Sequence, residues 1–203
     1  MIRFEAHGSR AFVLHGALSH ATCAGYIEQA EGIGFYEAPV NGRLGEQRME
    51  AVRNNDRVMV DDVGVAQALW ARIIEHIPSA WREVPGLLAG EPGGVLEPVG
   101  LNERLRIYRY QPGQYFKPHR DGRFVREDGE LSLLTALFFL NDVTQGGQTR
   151  IWDGKAQLDI APTAGAALLF DHSLLHEGRT LDGGVKYVLR SDVMYRLRRR
   201  DQS

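Results

Sequence analysis

The sequence predicts a mainly β fold with flanking helices (α+β): a β-sandwich or jelly roll supported by N-terminal helices. Three observations carry that expectation. From residue 102 onward, short apolar segments, alternating or continuous, follow one another at close intervals. Gly-rich turns such as "TQGGQ", "PTAG" and "LDGG" separate them. The two clear helical periodicities both fall before residue 86. Many short strands joined by Gly-rich turns make sandwiches and jelly rolls. At 203 residues, 43% hydrophobic and 25% charged, the chain can bury a sizeable core. We expect one domain over 1–203, with 1–101 as helical support and lid region and 102–197 as the β core.

In chain order, "SHATCAGYIEQAEGIG" reads as a helix capped by Ser19, with Cys23 as a small buried side chain within it. The Gly-, Asn- and charge-rich stretch that follows reads as loop with short strands. "DDVGVAQALWARIIEHIP" places Val65, Leu69, Ile73 and Ile77 four apart on one helix face before Pro78 stops it. Residues 79 to 101 are dense in Gly and Pro and read as an irregular crossing. Then "RLRIYRY" alternates Leu105, Ile107 and Arg109 against Arg104, Arg106, Tyr108 and Tyr110, and "SLLTALFFLND" is a nearly continuous apolar strand. "TRIWD", "AQLDIAP", "AALLFDH" and "KYVLRSDVMYRL" supply further strands.

Lys and Arg number 24 and Asp and Glu 26, for a net charge of −2, which gives no global reason to expect nucleic acid or an anionic membrane as partner. The terminal "YRLRRRDQS", with Arg196, Arg198, Arg199 and Arg200, reads as a solvated basic end. The single cysteine excludes an intramolecular disulfide, and the N-terminal residues carry no apolar signal region. No apolar run approaches the ~20 residues that span a bilayer. The expected compartment is cytoplasmic; the sequence carries no signal for an oligomeric state.

Within the β half, "FKPHRDGRF" sets His119 and Asp121 two apart. In an extended segment both point to one face, so an imidazole and a carboxylate can converge on one ion. A third ligand has to come from elsewhere, and "LLFDHSLLHEGRT" offers His176 at the end of another strand. Two histidines and a carboxylate on one face of a metal, with the other positions open, is the arrangement of non-haem Fe(II) oxygenases. Alone, a His-X-Asp pair is more often a surface or turn feature. Lys186, ten residues beyond His176, and Arg190, on the same face of its strand, strengthen the metal reading. A cation buried in a barrel is costly unless an anion meets it, and a dicarboxylate cosubstrate is such an anion. His172 is a rival ligand but more simply packs or hydrogen-bonds beside the site.

Residues 102 to 195 resemble the catalytic core of the Fe(II)- and 2-oxoglutarate-dependent oxygenases, specifically the prolyl 4-hydroxylase-like branch. The resemblance runs in order through "YRYQPGQYFKPHRD", "LTALFFLNDVTQGGQT", "PTAGAALLFDHSLLHEG" and "GGVKYVLRSDVMY", about half the chain. It implies a double-stranded β-helix with His119, Asp121 and His176 as iron ligands and Lys186 as partner of the distal carboxylate of 2-oxoglutarate. Arg190 is the second choice for that role, because its planar fork binds a carboxylate bidentately. The branch often carries tyrosines where Phe116 and Phe139 stand. With both hydroxyls missing, Tyr108, Tyr110, Thr135 or Arg190 is expected to hydrogen-bond the cosubstrate.

The implied cofactor is Fe(II), with 2-oxoglutarate and O2 as cosubstrates and ascorbate as a supporting reductant. The implied reaction hydroxylates an unactivated C–H bond and releases succinate and CO2. The expected substrate is a protein or peptide side chain; the alternative is a free amino acid or small metabolite, which a smaller, closed pocket would favour. A non-catalytic, cupin-like metal- or ligand-binding module would keep the fold but not need a cation at 186 or 190. No basic groove interleaved with aromatics is evident, so nucleic acid is not expected. "RNNDRV", residues 53–58, reads either as a charged surface loop or as a substrate lid. Tyr115 and Arg120 read as substrate-facing or rim residues.

Overall fold

The computed structural model describes residues 1–42, 45–47, 49–85 and 94–199. Strands β1 (Arg3–His7) and β2 (Ala11–His15) form an N-terminal hairpin, followed by helix α1 (His20–Ile33). Short strands β3 (Tyr36–Glu37), β4 (Val40–Gly42) and β5 (Gly45–Gln47) lead to β6 (Asp56–Asp61). Helix α2 (Val63–Ile73) runs into one 3-10 turn, and a short helix α3 (Ser79–Arg82) precedes β7 (Val84–Pro85). The remaining strands are β8 (Gly94–Leu101), β9 (Arg104–Tyr110), β10 (Phe116–His119), β11 (Leu131–Phe139) and β12 (Thr149–Asp153). They continue with β13 (Ala156–Ile160), β14 (Ala167–Asp171), β15 (Leu175–Gly178) and β16 (Lys186–Arg199). Among the described residues no helix is long and apolar enough to cross a membrane.

Two antiparallel sheets make the expected jelly roll. The large one runs β1-β2-β14-β11-β16-β9-β6-β3, with β8 also on β16 and β7 on β8; the small one runs β10-β15-β12-β13. Alternation sorts the large sheet's side chains between two cores. Val13, Leu137, Phe139, Leu168, Phe170 and Val188 face the small sheet, where Ile151 and Ile160 meet them. Phe12, Leu14, Ile107, Leu134, Phe138 and Leu189 face the other way, under Cys23 and Ala30 of α1 and Ala66, Leu69 and Ile73 of α2. Because β11 is covered on both faces, its sequence is a continuous apolar run. Each fully buried Leu or Phe contributes about 1.5–3 kcal/mol relative to exposure.

The helices start where the sequence places them. Ser19 accepts a hydrogen bond from the Thr22 N–H at 3.1 Å and opens α1, and Asp62 accepts one from the Val65 N–H at 2.9 Å and opens α2. Two expectations are corrected. The first 86 residues are not only helical support: β2 pairs with β14 and β6 with β9, so both belong to the large sheet. Ala11 to Leu14 are buried on both faces and show no alternation to read. The irregular stretch 79–101 contains β8, which pairs with the C-terminal half of β16. Pro98 and Gly100 disguised it; Pro98 lies beside a register shift, where the ladder tolerates a missing N–H. Residues 86–93 of that stretch, and Arg200 of the basic end, lie outside the described residues. Arg196 and Arg198 are exposed but belong to β16, paired with Glu130 and with Glu97.

Candidate functional site

Strands β10 and β15 pair so that His119 lies directly opposite His176. Asp121 follows just past the end of β10, its backbone N–H donating to the His172 carbonyl at 3.1 Å. Ligand atoms of His119, Asp121 and His176 all lie within 4.8 Å of one another. Each histidine donates through Nδ1 to the carbonyl two residues before it, His119 to Lys117 at 2.8 Å and His176 to Leu174 at 3.0 Å. That fixes the tautomer and turns both Nε2 lone pairs toward the carboxylate, at 3.9 Å for His119 and 3.5 Å for His176.

The electrostatics match this geometry. Burial, helped by the neighbouring His176, pushes the His119 imidazole down to about 3, and burial also lowers His176. Burial alone would raise Asp121, but Arg190 and the two histidines hold it below the usual carboxylate range. Near neutral pH the site therefore offers two neutral imidazole nitrogens and one carboxylate. That donor set fits a divalent transition metal of the Fe(II) type, and no thiol joins it to favour a structural zinc.

The carboxylate is held from behind. Thr135 Oγ1 donates to Asp121 at 2.5 Å and meets His172 Nδ1 at 2.9 Å; His172 Nε2 in turn meets the Ser132 hydroxyl at 2.8 Å. His172 is thus a supporting residue and not a ligand. Arg190 lies 2.9 Å from Asp121 and 3.2 Å from Asp192, and Arg106 lies 3.5 Å from Asp192. Thr135 and Arg190, expected to hold the cosubstrate, both engage Asp121 and also line the cavity that Lys186 lines. The sequence carried the signal: Asp192 stands two residues after Arg190, on the same face of β16, and supplies it with a carboxylate.

Lys186 is in the opposite situation. It is 3% exposed, lies 5.2 Å from the Tyr110 ring and 5.8 Å from the Phe139 ring, and donates to the Gly147 carbonyl at 2.5 Å. No carboxylate pairs with it among the described residues, and burial pushes its ammonium down to about 7. The turn that reaches it requires glycine: Gly146 has φ +74°, and a Cβ there would sit 2.4 Å from the Thr180 carbonyl. Lys186 lines a small cavity together with the three candidate ligands, Tyr108 and Tyr110. Burial raises the Tyr110 phenol to about 12, keeping it a donor. Burial would raise Tyr108 too, but Arg53, Arg190 and Arg106 bring it below its ordinary value.

On the other side of Asp121 the site opens into a wider groove of about 490 Å³. The segment 53–58 is not a charged surface loop. Its last residues belong to β6, and Arg53 is buried, its guanidinium 4.4 Å from both the Tyr108 and Phe116 rings. Tyr115 anchors against it, donating from its N–H to Asn54 at 2.8 Å, and Arg120 donates to the Ser173 carbonyl. Arg53, Arg57, Arg106, Arg120, Arg123 and Arg190 all line this groove. The expectation of no basic groove is thus corrected; the arginines come from four separate segments, and no run of charge announces them.

Residues 105–191 match the family described as the 2OG-Fe(II) oxygenase superfamily. Among curated proteins, prolyl 4-hydroxylase 5 of Arabidopsis thaliana is 31% identical over 211 residues, covering 88% of this chain and 66% of that one. The chain thus spans about two thirds of the length of such relatives. A Pseudomonas putida prolyl-4-hydroxylase crystal structure superposes with a TM-score of 0.62 at 20% identity, covering 95% of this chain and 94% of the other. A Trichoplax adhaerens prolyl hydroxylase, solved in complex with a hypoxia inducible factor oxygen degradation domain peptide fragment, superposes with a TM-score of 0.63 at 16% identity, covering 92% and 84%.

Proposed function

We propose that this member of the 2OG-Fe(II) oxygenase superfamily hydroxylates an unactivated C–H bond on a protein or peptide side chain, consuming 2-oxoglutarate and O2 and releasing succinate and CO2. The observation that carries it is the convergence of His119, Asp121 and His176 on one cavity whose inner end holds a buried lysine without a carboxylate. Bound by those three residues, Fe(II) supplies the O2 activation that couples decarboxylation of 2-oxoglutarate to oxygen insertion, with ascorbate as a supporting reductant.

Everything else falls to the chain's own side chains. Lys186 meets the distal carboxylate of 2-oxoglutarate, and the Tyr110 hydroxyl, on the same cavity wall, donates to it. Thr135 and Arg190 hold Asp121 in place. Phe116 stacks on the His119 ring at 3.5 Å and keeps water from that side of the site. The relatives' naming as prolyl 4-hydroxylases supports a peptide target. A non-catalytic binding module would have no use for a lysine buried without a counter-charge.

The test is conversion of 2-oxoglutarate to succinate by the purified protein with Fe(II) and O2, alongside mass spectrometry of proline-containing peptides. Iron-dependent succinate formation and a gain of one oxygen on peptide are expected, both lost in Asp121→Ala. Succinate formation that persists in that variant would overturn the metal assignment.

A further inference from the structure

We infer that the groove beside Asp121 is a docking channel for an acidic peptide segment, so that the substrate carries Asp or Glu near the residue to be hydroxylated. The inference deepens the oxygenase reading and rests on it. The guanidiniums of Arg53, Arg106, Arg120 and Arg190 line the groove against two carboxylates, Asp121 and Asp192, and Arg57 and Arg123 stand beside them with partners of their own. The excess is local, because the whole chain has a net charge of −2. Nor are the two carboxylates spare: Arg190 engages both, and Arg106 also lies against Asp192.

Arg53 points most directly to a ligand. It is 6% exposed; its Nε donates to Asn55 at 2.7 Å, while its Nη2 has no hydrogen-bond partner. Arg190 Nε is likewise buried without one. A buried N–H left without a partner is costly, and the group that best satisfies a guanidinium fork is a carboxylate or phosphate. The guanidiniums come from four separate segments of the chain, 53–57, 106, 120–123 and 190, an arrangement suited to a chain segment that carries more than one carboxylate.

A single-stranded nucleic acid carries the same charge but binds by stacking bases on open aromatic faces. Of the groove's three aromatic rings, Phe124 alone is exposed, and a single open face gives no run of stacking platforms. The Phe116 ring lies 3.5 Å from that of His119 and 4.4 Å from the Arg53 guanidinium, which also covers Tyr108 at 4.4 Å. Acidic peptide is therefore the occupant that the groove's chemistry fits.

The experiment is fluorescence anisotropy on the full chain with three labelled probes: a proline-centred peptide flanked by glutamates, the same peptide with glutamines, and an oligothymidylate. We expect the Glu peptide to bind about tenfold more tightly than the Gln peptide at low salt. The preference should shrink as salt is raised. It should largely disappear in the double variant Arg120→Gln/Arg123→Gln, whose two positions are exposed. Equal binding of the two peptides, tighter binding of the oligonucleotide, or a double variant that keeps the full preference would each overturn the inference. The visible band that 2-oxoglutarate induces in Fe(II)-loaded protein is recorded in parallel. A band without a Glu preference removes the acidic substrate and leaves the oxygenase; a Glu preference without a band does the reverse.

Discussion

Lys186 and Arg190 stand four residues apart on one strand and one face, the first buried and the second nearly so, yet their surroundings are opposite. At Arg190 the protein supplies the counter-charge itself, through Asp121 and Asp192. At Lys186 it supplies two aromatic rings and one carbonyl, and no carboxylate among the described residues. A buried cation that brings its own anions is part of the scaffold. One that lacks them keeps a place for an anion that arrives from outside. The same strand thus carries, two alternations apart, a cation that holds Asp121 and a cation left open to a carboxylate from outside.

Swapping each cation for an apolar side chain should break the symmetry most visibly in stability. Arg190→Met leaves Asp121 without its guanidinium and Asp192 with Arg106 alone, and should destabilise the protein by about 3–5 kcal/mol. Lys186→Met removes an uncompensated charge and should stabilise the ligand-free protein by about 1–4 kcal/mol, as read by denaturant unfolding. The sign with pH follows from the lowered ammonium. Between about 7 and the ordinary 10.5 the unfolded chain holds a proton that the folded one lacks, so the wild type gains stability across that window. The advantage of Lys186→Met should therefore be full below pH 7 and vanish toward 10.5. Two variants that shift stability in the same direction would mean that Lys186 has a partner of its own.

Affinity for 2-oxoglutarate sharpens the contrast. Lys186→Met should weaken it about 100-fold, the loss typical of removing one partner of a buried charge pair, as measured by calorimetry on metal-loaded protein. An unchanged affinity would return the cosubstrate to Arg190. On the metal side, Thr135→Val should lower metal affinity about 10-fold by freeing Asp121, with 2-oxoglutarate affinity at saturating metal unaltered. The smallest effect is a proton count. Lys186 is mostly neutral above pH 7 when free and charged against a carboxylate, so 2-oxoglutarate binding near pH 8.5 should take up about one proton. Calorimetry in two buffers of different ionisation enthalpy reads this directly, and buffer-independent heats would argue against it.

Much of this was legible in the sequence, for identifiable reasons. The period-two spacing of His119 and Asp121, the turn-bounded strands and the Ser19 cap all have local causes, and local causes can be read from a linear chain. Three features were hidden because their causes are distant in sequence. β2 is covered on both faces and offers no alternation, and β8 carries Pro98 at a bulge, so neither reads as a strand. The assignment of Thr135 and Arg190 to Asp121 depends on which strands become neighbours. The arginine groove is assembled from four segments, none of them a charge run. Asp192, standing two after Arg190, was the one clue within reach.

In the proposed site His119, Asp121 and His176 hold Fe(II) beside a 2-oxoglutarate seat closed by Lys186. Anaerobic optical titration of the protein with Fe(II) and then 2-oxoglutarate tests it most directly. A weak visible charge-transfer band is expected, absent in His119→Ala and needing far more 2-oxoglutarate to develop in Lys186→Met. Iron-loaded, well-folded protein that gives no band, or a band unchanged in His119→Ala, would contradict it.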